Sequence, residues 1–480
     1  MQHKNKVIVI GIDGATFDLI LPWAKEGKLP TFAELLKEGT CKYLQSVPPY
    51  NSAVDWVSIY TGKLPGGHAV FDFLKVDKQK GIRFINSNDI KSEVIWVRLL
   101  RYGKKIILIN VPLSFTSEIM TTNSIVVSSF EKSEREIFTY PPELTYRLRE
   151  NGYIMEALDK PFVRGDENKL ISRIQTSLEK RQEVALKLMT LYEWDFFFVI
   201  FTETDRLQHF FWKYNEDKTS RYRNVLLNHY RKLDDFIKKI IERIDENTSL
   251  FIISDHGFGP LEGEFHLGAW LYKIGLMKYR PSWYKWLIET KFTQQEILNT
   301  LKKCKISRVF RNIFGNNYYI DKLTLPPYIK YRHINQLESH AFPGGYATIY
   351  INTSSENYEH LRRLLIKKLE IIKSPKDKKK IFNSIVKREE IYKGPYISEA
   401  PDIIIKNGEY DPMGGVGYST LFDLKPLKTG THREYGIFIL WDRSKKKKIK
   451  KEARIVDVYP TILRVMNLPI PSELDGKPLF

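Results

Sequence analysis

The 480-residue sequence holds only two cysteines, Cys41 and Cys304. So few exclude a disulfide framework and fit a reducing compartment. No apolar run approaches the ~20 residues of a membrane span. The opening residues, Met1-Gln2-His3-Lys4-Asn5-Lys6, run straight into a short apolar stretch. That stretch is too short for a secretory signal and lacks a small-residue cleavage site. The expectation is a soluble, cytoplasmic chain with no transmembrane segment. Acidic residues are outnumbered, 57 against 76 basic, leaving a net charge of +19. Such an excess attracts anions: phosphorylated substrates, nucleic acid or anionic lipid headgroups. Part of it sits in lysine runs at 445–448 and 450–451, and at 376 and 378–380. These runs have no interleaved aromatics and match no nucleic-acid motif, so they read as solvated loops. There is no internal repeat and no long linker. The hydrophobic share, 42%, is that of an ordinary globular protein.

What the chain does have is a series of short apolar runs that stop at polar residues. Residues 249–259 (SLFIISDHGFG) read as a buried strand that ends at Asp255-His256, with two glycines allowing a tight turn. Adjacent Asp and His offer one carboxylate oxygen and one imidazole nitrogen to a single point, which suits a borderline metal such as zinc. A polar turn after a core strand is the alternative. Residues 6–14 (KVIVIGIDG) are a second such strand, ending at Asp13. Uniformly apolar strands are typical of buried parallel sheets, and open α/β sheets bind ligands at the strands' carboxyl ends. Residues 30–39 (PTFAELLKEG) read as a helix with Pro in its first turn and Gly past its end.

Prolines 48 and 49 disfavour helix up to about Tyr50, and a helical pattern runs from Ala53 to a stop at Gly62. Ser52 therefore lies at or near a helix N-terminus. An N-cap serine belongs there, and so does a serine attacking phosphorus, since free N–H groups favour an oxyanion. Residues 65–73 read as a loop entering a strand, with His68 a hydrogen-bonded turn residue. Residues 104–111 form another strand, and 114–168 read as an irregular excursion beside the sheet. A helix over 170–192 carries apolar positions at Ile174, Leu178, Ala185, Leu188 and Leu191. It leads to a strand at 195–201, followed by Asp205 and His209. Four residues apart on a helix, these two share a face and can chelate one ion; a dipole-balancing Asp and a core His are the alternative. Asp234 and Asp235, in a helix over 221–244, read as surface charges. Residues 275–330 read as a helical insertion, a cap or an interaction surface. Strands follow at 344–352, 400–406 and 435–441. His432 precedes the last of these as a loop histidine.

Together these signals form an ordered set: Asp13, Ser52, Asp205 with His209, Asp255 with His256, and His432. A parallel sheet would bring most of them to one edge, with enough donors for two adjacent metal sites. The fold class expected is α/β, with a mostly parallel central sheet and helices on both faces. At this point the sequence resembles the alkaline phosphatase superfamily, in particular its type I phosphodiesterase/nucleotide pyrophosphatase branch of prokaryotic phosphohydrolases or phosphomutases. The resemblance rests on Gly11-Ile12-Asp13-Gly14, Pro48-Pro49 through Trp56 and Thr61-Gly62, and residues 65–73. It continues in Thr204-Asp205-Arg206 through His209-Phe210-Phe211-Trp212, Ser254-Asp255-His256-Gly257 and Gly430-Thr431-His432. It ends with Asp457 through residues 460–463 and Asp475-Gly476.

The resemblance implies a three-layer sandwich in which residues 1–480 form one catalytic domain. It implies one divalent metal, zinc or alternatively manganese, on Asp205, His209 and His432, and a second on Asp13, Asp255 and His256. It makes Ser52 the nucleophile, bridging toward the second metal. The substrate implied is a phosphorylated small molecule, nucleotide-like, cleaved by a phosphodiesterase; a phosphomonoesterase or phosphotransferase would use the same site. Metals there would lower the pKa of the serine hydroxyl and stabilise the leaving oxygen. Two departures stand out. Asp55 lies beside the nucleophile, where it could alter substrate preference, and Ala69 follows His68 where glycine is usual, a difference expected to be structural. A sulfatase is disfavoured, because no C/S-x-P-x-R motif surrounds Ser52 or Cys41. The motifs of a cofactor-independent phosphoglycerate mutase are not evident either. A noncatalytic anion-binding protein on this fold would be expected to lack ligands, yet every expected ligand position is filled.

Overall fold

The computed structural model describes residues 5–77, 81–129, 135–158, 162, 164–281, 330–443, 447–449 and 451–480. Nine strands form the central sheet: β1 (Lys6–Ile12), β2 (Thr40–Gln45), β3 (Ile106–Ile109), β4 (Ser124–Val127), β5 (Thr139–Tyr140), β6 (Phe196–Phe201), β7 (Thr248–Ile253), β8 (Tyr435–Trp441) and β9 (Ala453–Arg454). Their spatial order is β9-β2-β8-β7-β1-β6-β3-β4-β5. The five strands from β7 to β4 run parallel. Strand β8 is antiparallel to both β7 and β2, and β5 is antiparallel to β4.

The apolar runs explain this sheet. Every residue of β6 and of β7 is buried, so both faces must be covered. Side chains alternate between the faces. Ile8, Ile10 and Ile12 join Phe197, Val199 and Phe201 in one core, while Val7 and Val9 join Phe196, Phe198 and Ile200 in the other. The first core is closed by α1 (Phe17–Lys25) and α2 (Pro30–Glu38). The second is closed by α3 (Ser52–Thr61) and by the C-terminal helix Val458–Val465. Helices α4 (Glu167–Leu191), α5 (Glu203–Phe211) and α6 (Val225–Ile241) complete the first face. This is the three-layer α/β arrangement expected. Among the described residues no helix is long and apolar enough to cross a membrane.

Several expectations are corrected. Residues 114–168 do not all lie beside the sheet: they supply β4 and β5 at its edge. The short SIVV run of β4 pairs in parallel with β3, a long-range contact that local polarity conceals. Leu191, counted with the apolar face of α4, is 71% exposed. Residues 65–73 begin with a helical turn, Pro65–His68, whose C-cap Ala69 adopts φ 63°. That left-handed conformation favours glycine, so the departure at Ala69 is structural. The insertion expected at 275–330 lies for the most part outside the described residues. Beyond it, Ala341–Pro343, Thr348–Ile351, Ile403–Asn407 and Phe382–Lys387 form a separate antiparallel sheet with its own core, which includes Phe265, Ile349 and Leu365.

Asp234 is not a surface charge. Its carboxylate is buried and accepts hydrogen bonds from the N–H groups of Thr31 (3.1 Å) and Phe32 (2.7 Å). These are orphan donors in the first turn of α2, and Asp234 on α6 satisfies them from a neighbouring helix. Asp235 beside it is exposed. Asp234→Ala should lower the unfolding free energy by about 1–3 kcal/mol; urea titration yielding wild-type stability would refute the cap.

His68 is fully buried and its Nδ1 accepts from the Val70 N–H (3.1 Å). Its Nε2–H therefore donates to Ser58 Oγ, 2.9 Å away. Burial lowers its pKa from 6.5 to about 3, and burial does the same for His229. In the unfolded chain both imidazoles take up protons near 6.5, while the folded ones stay neutral. Their contribution to stability is present above that pH and is lost as pH falls toward 3, by at most about 1.4 kcal/mol per pH unit each. In urea titrations from pH 7 to 5, His68→Gln should flatten the stability profile relative to the wild type. Parallel profiles would contradict the neutral buried histidine.

Candidate metal and phosphoryl-transfer site

Asp13 directly follows β1, just before Gly14 with φ 68°. The strand carries Gly11 because any Cβ there would lie 2.6 Å from the Trp56 ring. Trp56 packs into that space and donates its Nε1–H to Asp13 Oδ2 at 3.1 Å. A tertiary contact thus sets the orientation of the Asp13 carboxylate. Asp255 and His256 follow β7, and Asp255 Oδ1 accepts the Gly14 N–H at 3.1 Å. Asp205 and His209 lie one turn apart on α5, with Nε2 3.3 Å from Oδ1.

His432 arrives differently from expected. The glycines after His256 do not make a turn. Gly257–Pro260 is a strand antiparallel to Gly430–Arg433, with Phe258 opposite His432. His432 is therefore a strand residue, and this pairing places its ring on that of His256, centroids 3.8 Å apart and planes at 22°.

Ser52 is the first residue of α3, while Asn51 is the cap, its Oδ1 accepting from the Ala53 N–H at 3.0 Å. With Asn51 capping, the Ser52 hydroxyl is free for other work. Its Oγ lies 3.3 Å from Asp13 Oδ1 and 3.2 Å from His256 Nε2. The Ser52 N–H has no acceptor among the described residues.

All seven residues singled out in the sequence thus converge at one edge of the sheet. Six of them form two trios, Asp205–His209–His432 and Asp13–Asp255–His256, whose donor atoms lie within 4.8 Å of one another in each. The three histidines are oriented alike. Each Nδ1 faces a backbone carbonyl: Gly430 for His209 (2.9 Å), Gly257 for His256 (3.0 Å) and Tyr50 for His432 (2.8 Å). A carbonyl can only accept, so Nδ1 carries the proton and Nε2 points a lone pair into the site.

The electrostatics fit a cation at each trio. His432 Nε2 is 3.1 Å from His209 Nε2, so two lone pairs confront each other. Asp255 Oδ2 is fully buried without a hydrogen-bond partner. Burial, then the Asp255 and Asp205 charges, push Asp13 well above the ordinary carboxylate range, and burial raises Asp255 too. Burial also pushes Asp205 upward, but His209 and His432 outweigh it and hold the carboxyl well below its usual value. His432 is lowered to about 3, by burial first and His256 second. A buried carboxylate oxygen without a donor and facing imidazole lone pairs are costly without a cation. Mixed O/N donor sets of this kind suit zinc or manganese.

A cavity of about 320 Å³ opens over Ser52, lined also by Asp205, His209 and His432, with Phe73, Phe84 and Tyr346 on its walls. A larger one, about 570 Å³, lies behind the histidines against Tyr50 and Phe258 and touches none of the seven. The residues that sequence reasoning missed are supporting ones. Asn51 caps α3, and Arg206 donates to Asp205 Oδ2 (2.8 Å) and to Glu156 (3.1 Å). Arg206 follows Asp205 directly, the one signal available. Asp55, the acid beside Ser52, is fully buried and accepts the N–H groups of Val47 (3.3 Å) and Asn51 (2.8 Å), fixing the approach to Ser52.

This α/β fold, with its large and mostly parallel central sheet, is that of the alkaline phosphatase superfamily. The sequence matches the type I phosphodiesterase / nucleotide pyrophosphatase family over residues 7–409, and the chain belongs to that family. It is a phosphoric ester hydrolase of that superfamily. Among curated proteins none matches the sequence. The fold is similar to phosphonoacetate hydrolase from Sinorhizobium meliloti 1021 in complex with phosphonoformate (TM-score 0.59, 13% identity, 97% of this chain and 95% of that one). It is also similar to murine ectonucleotide pyrophosphatase/phosphodiesterase 5, in an inactive form bound to AMP (0.55, 14%, 97% and 96%). The alkaline phosphatase PafA is a third similar structure (0.52, 13%, 98% and 98%).

His209→Ala should remove one donor from the first trio and lower the zinc retained after dialysis from about two equivalents toward one. Metal analysis giving the wild-type content would take His209 out of the site.

Proposed function

We propose that this protein is a metal-dependent phosphodiesterase of the nucleotide pyrophosphatase type, acting through a phosphoserine at Ser52. The observation that carries the reading is the position of Ser52 Oγ, unused by the helix cap and within 3.3 Å of both Asp13 and His256. Asp205, His209 and His432 would hold one divalent ion, and Asp13, Asp255 and His256, with Ser52 beside them, the other. Bound there, zinc or manganese would lower the pKa of the serine hydroxyl and neutralise charge on the phosphoryl oxygens.

The chain's own groups do the rest. Ser52 Oγ attacks phosphorus in line with the leaving oxygen and loses its proton to solvent. The unpartnered Ser52 N–H, at the positive end of α3, is available to a phosphoryl oxygen. Asp55 and Asn51 hold the serine at that helix head. Tyr50, Gly257 and Gly430 keep each Nδ1 protonated through their carbonyls, so that the three Nε2 atoms face inward. Water then cleaves the phosphoserine. Phe73, Phe84 and Tyr346 offer apolar contact to the second ester substituent, which favours a diester and agrees with a nucleotide-like substrate. A cytoplasmic setting, expected from the two cysteines, is part of the same proposal.

The test is hydrolysis of bis(p-nitrophenyl) phosphate and p-nitrophenyl phosphate by metal-stripped protein with zinc or manganese restored. The expected result is metal-dependent turnover favouring the diester, with a loss of at least about a thousandfold in kcat for Ser52→Ala at unchanged metal content. Preference for the monoester would replace the diesterase by a phosphomonoesterase or phosphotransferase. Full activity of Ser52→Ala would move the nucleophile elsewhere.

A further inference from the structure

The catalytic cavity and a second cavity of about 380 Å³ share one residue, Lys428. They lie on either side of one step along α5: His209 lines the first and Phe210 the second. The segment is pinned there because the Thr429 N–H donates to the His209 carbonyl. Lys428 is half-buried and makes no hydrogen bond or ion pair with any described residue. A partly desolvated ammonium without a partner favours an anion beside it.

The second cavity is lined by both charged and apolar side chains. Arg164, Lys213 and Lys425 join Lys428 on its walls, against two carboxylates, Glu167 and Glu262. Glu262 is already paired with Lys376 at 2.6 Å. The Phe162 and Phe210 rings, centroids 4.7 Å apart, line the same cavity. Leu424 and Leu427 stand 44% and 38% exposed beside Tyr214. A lysine on a rim would attract anions in general; the aromatic and leucine side chains that line the same cavity narrow the class.

A nucleotide pyrophosphatase cleaves a diphosphate diester; we propose that the catalytic cleft here continues past Lys428, and that the leaving phosphoryl group of that substrate carries an apolar end. One phosphorus sits at Ser52, the second phosphoryl group at Lys428, and the apolar group on that phosphoryl lies against Phe210, Tyr214 and Leu427. This rests on the phosphodiesterase reading. Attack forms the Ser52 Oγ–P bond and breaks the bond from that phosphorus to the bridging oxygen. The bridging oxygen leaves with the electron pair as part of a phosphomonoester bearing the apolar group, and its charge is met by Lys428. The serine proton goes to solvent; water then adds hydroxide to phosphorus and returns a proton to Oγ. Lys428 is thereby a specificity residue for the leaving group.

The test compares diphenyl diphosphate, phenyl octyl diphosphate and phenyl methyl diphosphate with bis(p-nitrophenyl) phosphate, which lacks the second charge. In Lys428→Met, the ratio of kcat/KM for diphenyl diphosphate to that for bis(p-nitrophenyl) phosphate should fall about tenfold, the size of one charge-assisted contact. Equal loss on both, or none, overturns the lysine's role. The octyl or the diphenyl ester should exceed the methyl ester, and Leu427→Asp should erase that advantage. Octyl preference would assign an aliphatic end and phenyl preference an aromatic one; no preference over methyl overturns the apolar subsite. Binding is read separately, by calorimetry with phenyl octyl imidodiphosphate in the Ser52→Ala background. There Lys428→Met should weaken Kd about tenfold, and an unchanged Kd overturns the proposal even where turnover is absent. Residual turnover in Ser52→Ala counts against the serine reading and leaves the Lys428 comparison intact.

Discussion

Three carboxylates buried at one edge of an apolar sheet repel one another, and much of this structure answers to that constraint. Asp13, Asp205 and Asp255 are each at most 2% exposed, and isolated buried carboxylates are among the most expensive groups a protein can hold. The backbone is arranged so that imidazole nitrogens and a single serine oxygen come to them. Three carbonyls, on three different segments, hold the histidines with their lone pairs inward. Trp56 and the Gly14 N–H each satisfy one further carboxylate oxygen. What is left over, Asp255 Oδ2 above all, is a deficit of positive charge that the chain's own side chains do not fill.

The parts of the site legible in the sequence are those set by local pattern. Asp13 and Asp255 follow runs so uniformly apolar that both faces had to be covered, and that fixed their place at the carboxyl ends of parallel strands. Asp205 and His209 are joined by helical spacing. His432 is different: its place depends on pairing between Gly257–Pro260 and Gly430–Arg433, segments far apart in the chain. Nothing local distinguishes that strand from a loop. The choice between Asn51 and Ser52 as the cap was likewise invisible, since both are good N-caps. It was decided by Asp55, which holds the Asn51 N–H.

Buried acids account for other misreadings. Asp234 looks like a solvated charge, because acids usually are, and nothing local marks Asp55 as buried. In the fold each accepts two backbone N–H groups that would otherwise lack partners. Their role is defined by donors on other segments, so composition and periodicity carry no trace of it. The same holds for Arg181 and Glu203, a fully buried ion pair at 2.6 Å that joins α4 to the start of α5. Glu203 stands two residues before Asp205, so this pair anchors the helix end that presents the first trio.

The division of labour between the two sheets follows from where the cavity walls originate. Its floor comes from the edge of the central sheet, but Tyr346 comes from the link between Ala341–Pro343 and Thr348–Ile351 of the second sheet, where it bridges to Met413 at the end of strand Tyr410–Met413. Asp72 spans the two. Its Oδ2 accepts the Tyr346 N–H at 3.0 Å, and Oδ1 faces the Asn51 Nδ2 at 3.4 Å. Burial pushes its pKa up to about 6, yet its oxygens are directed to backbone and amide donors. It therefore serves as a tie between the cap of α3 and the second sheet. A wall fastened through Asn51 shifts only if the residue that precedes Ser52 shifts with it. Floor and wall thus move together where they meet the serine, and Lys428 is tied to the first trio in turn, since Thr429 and Gly430 beside it both hold His209.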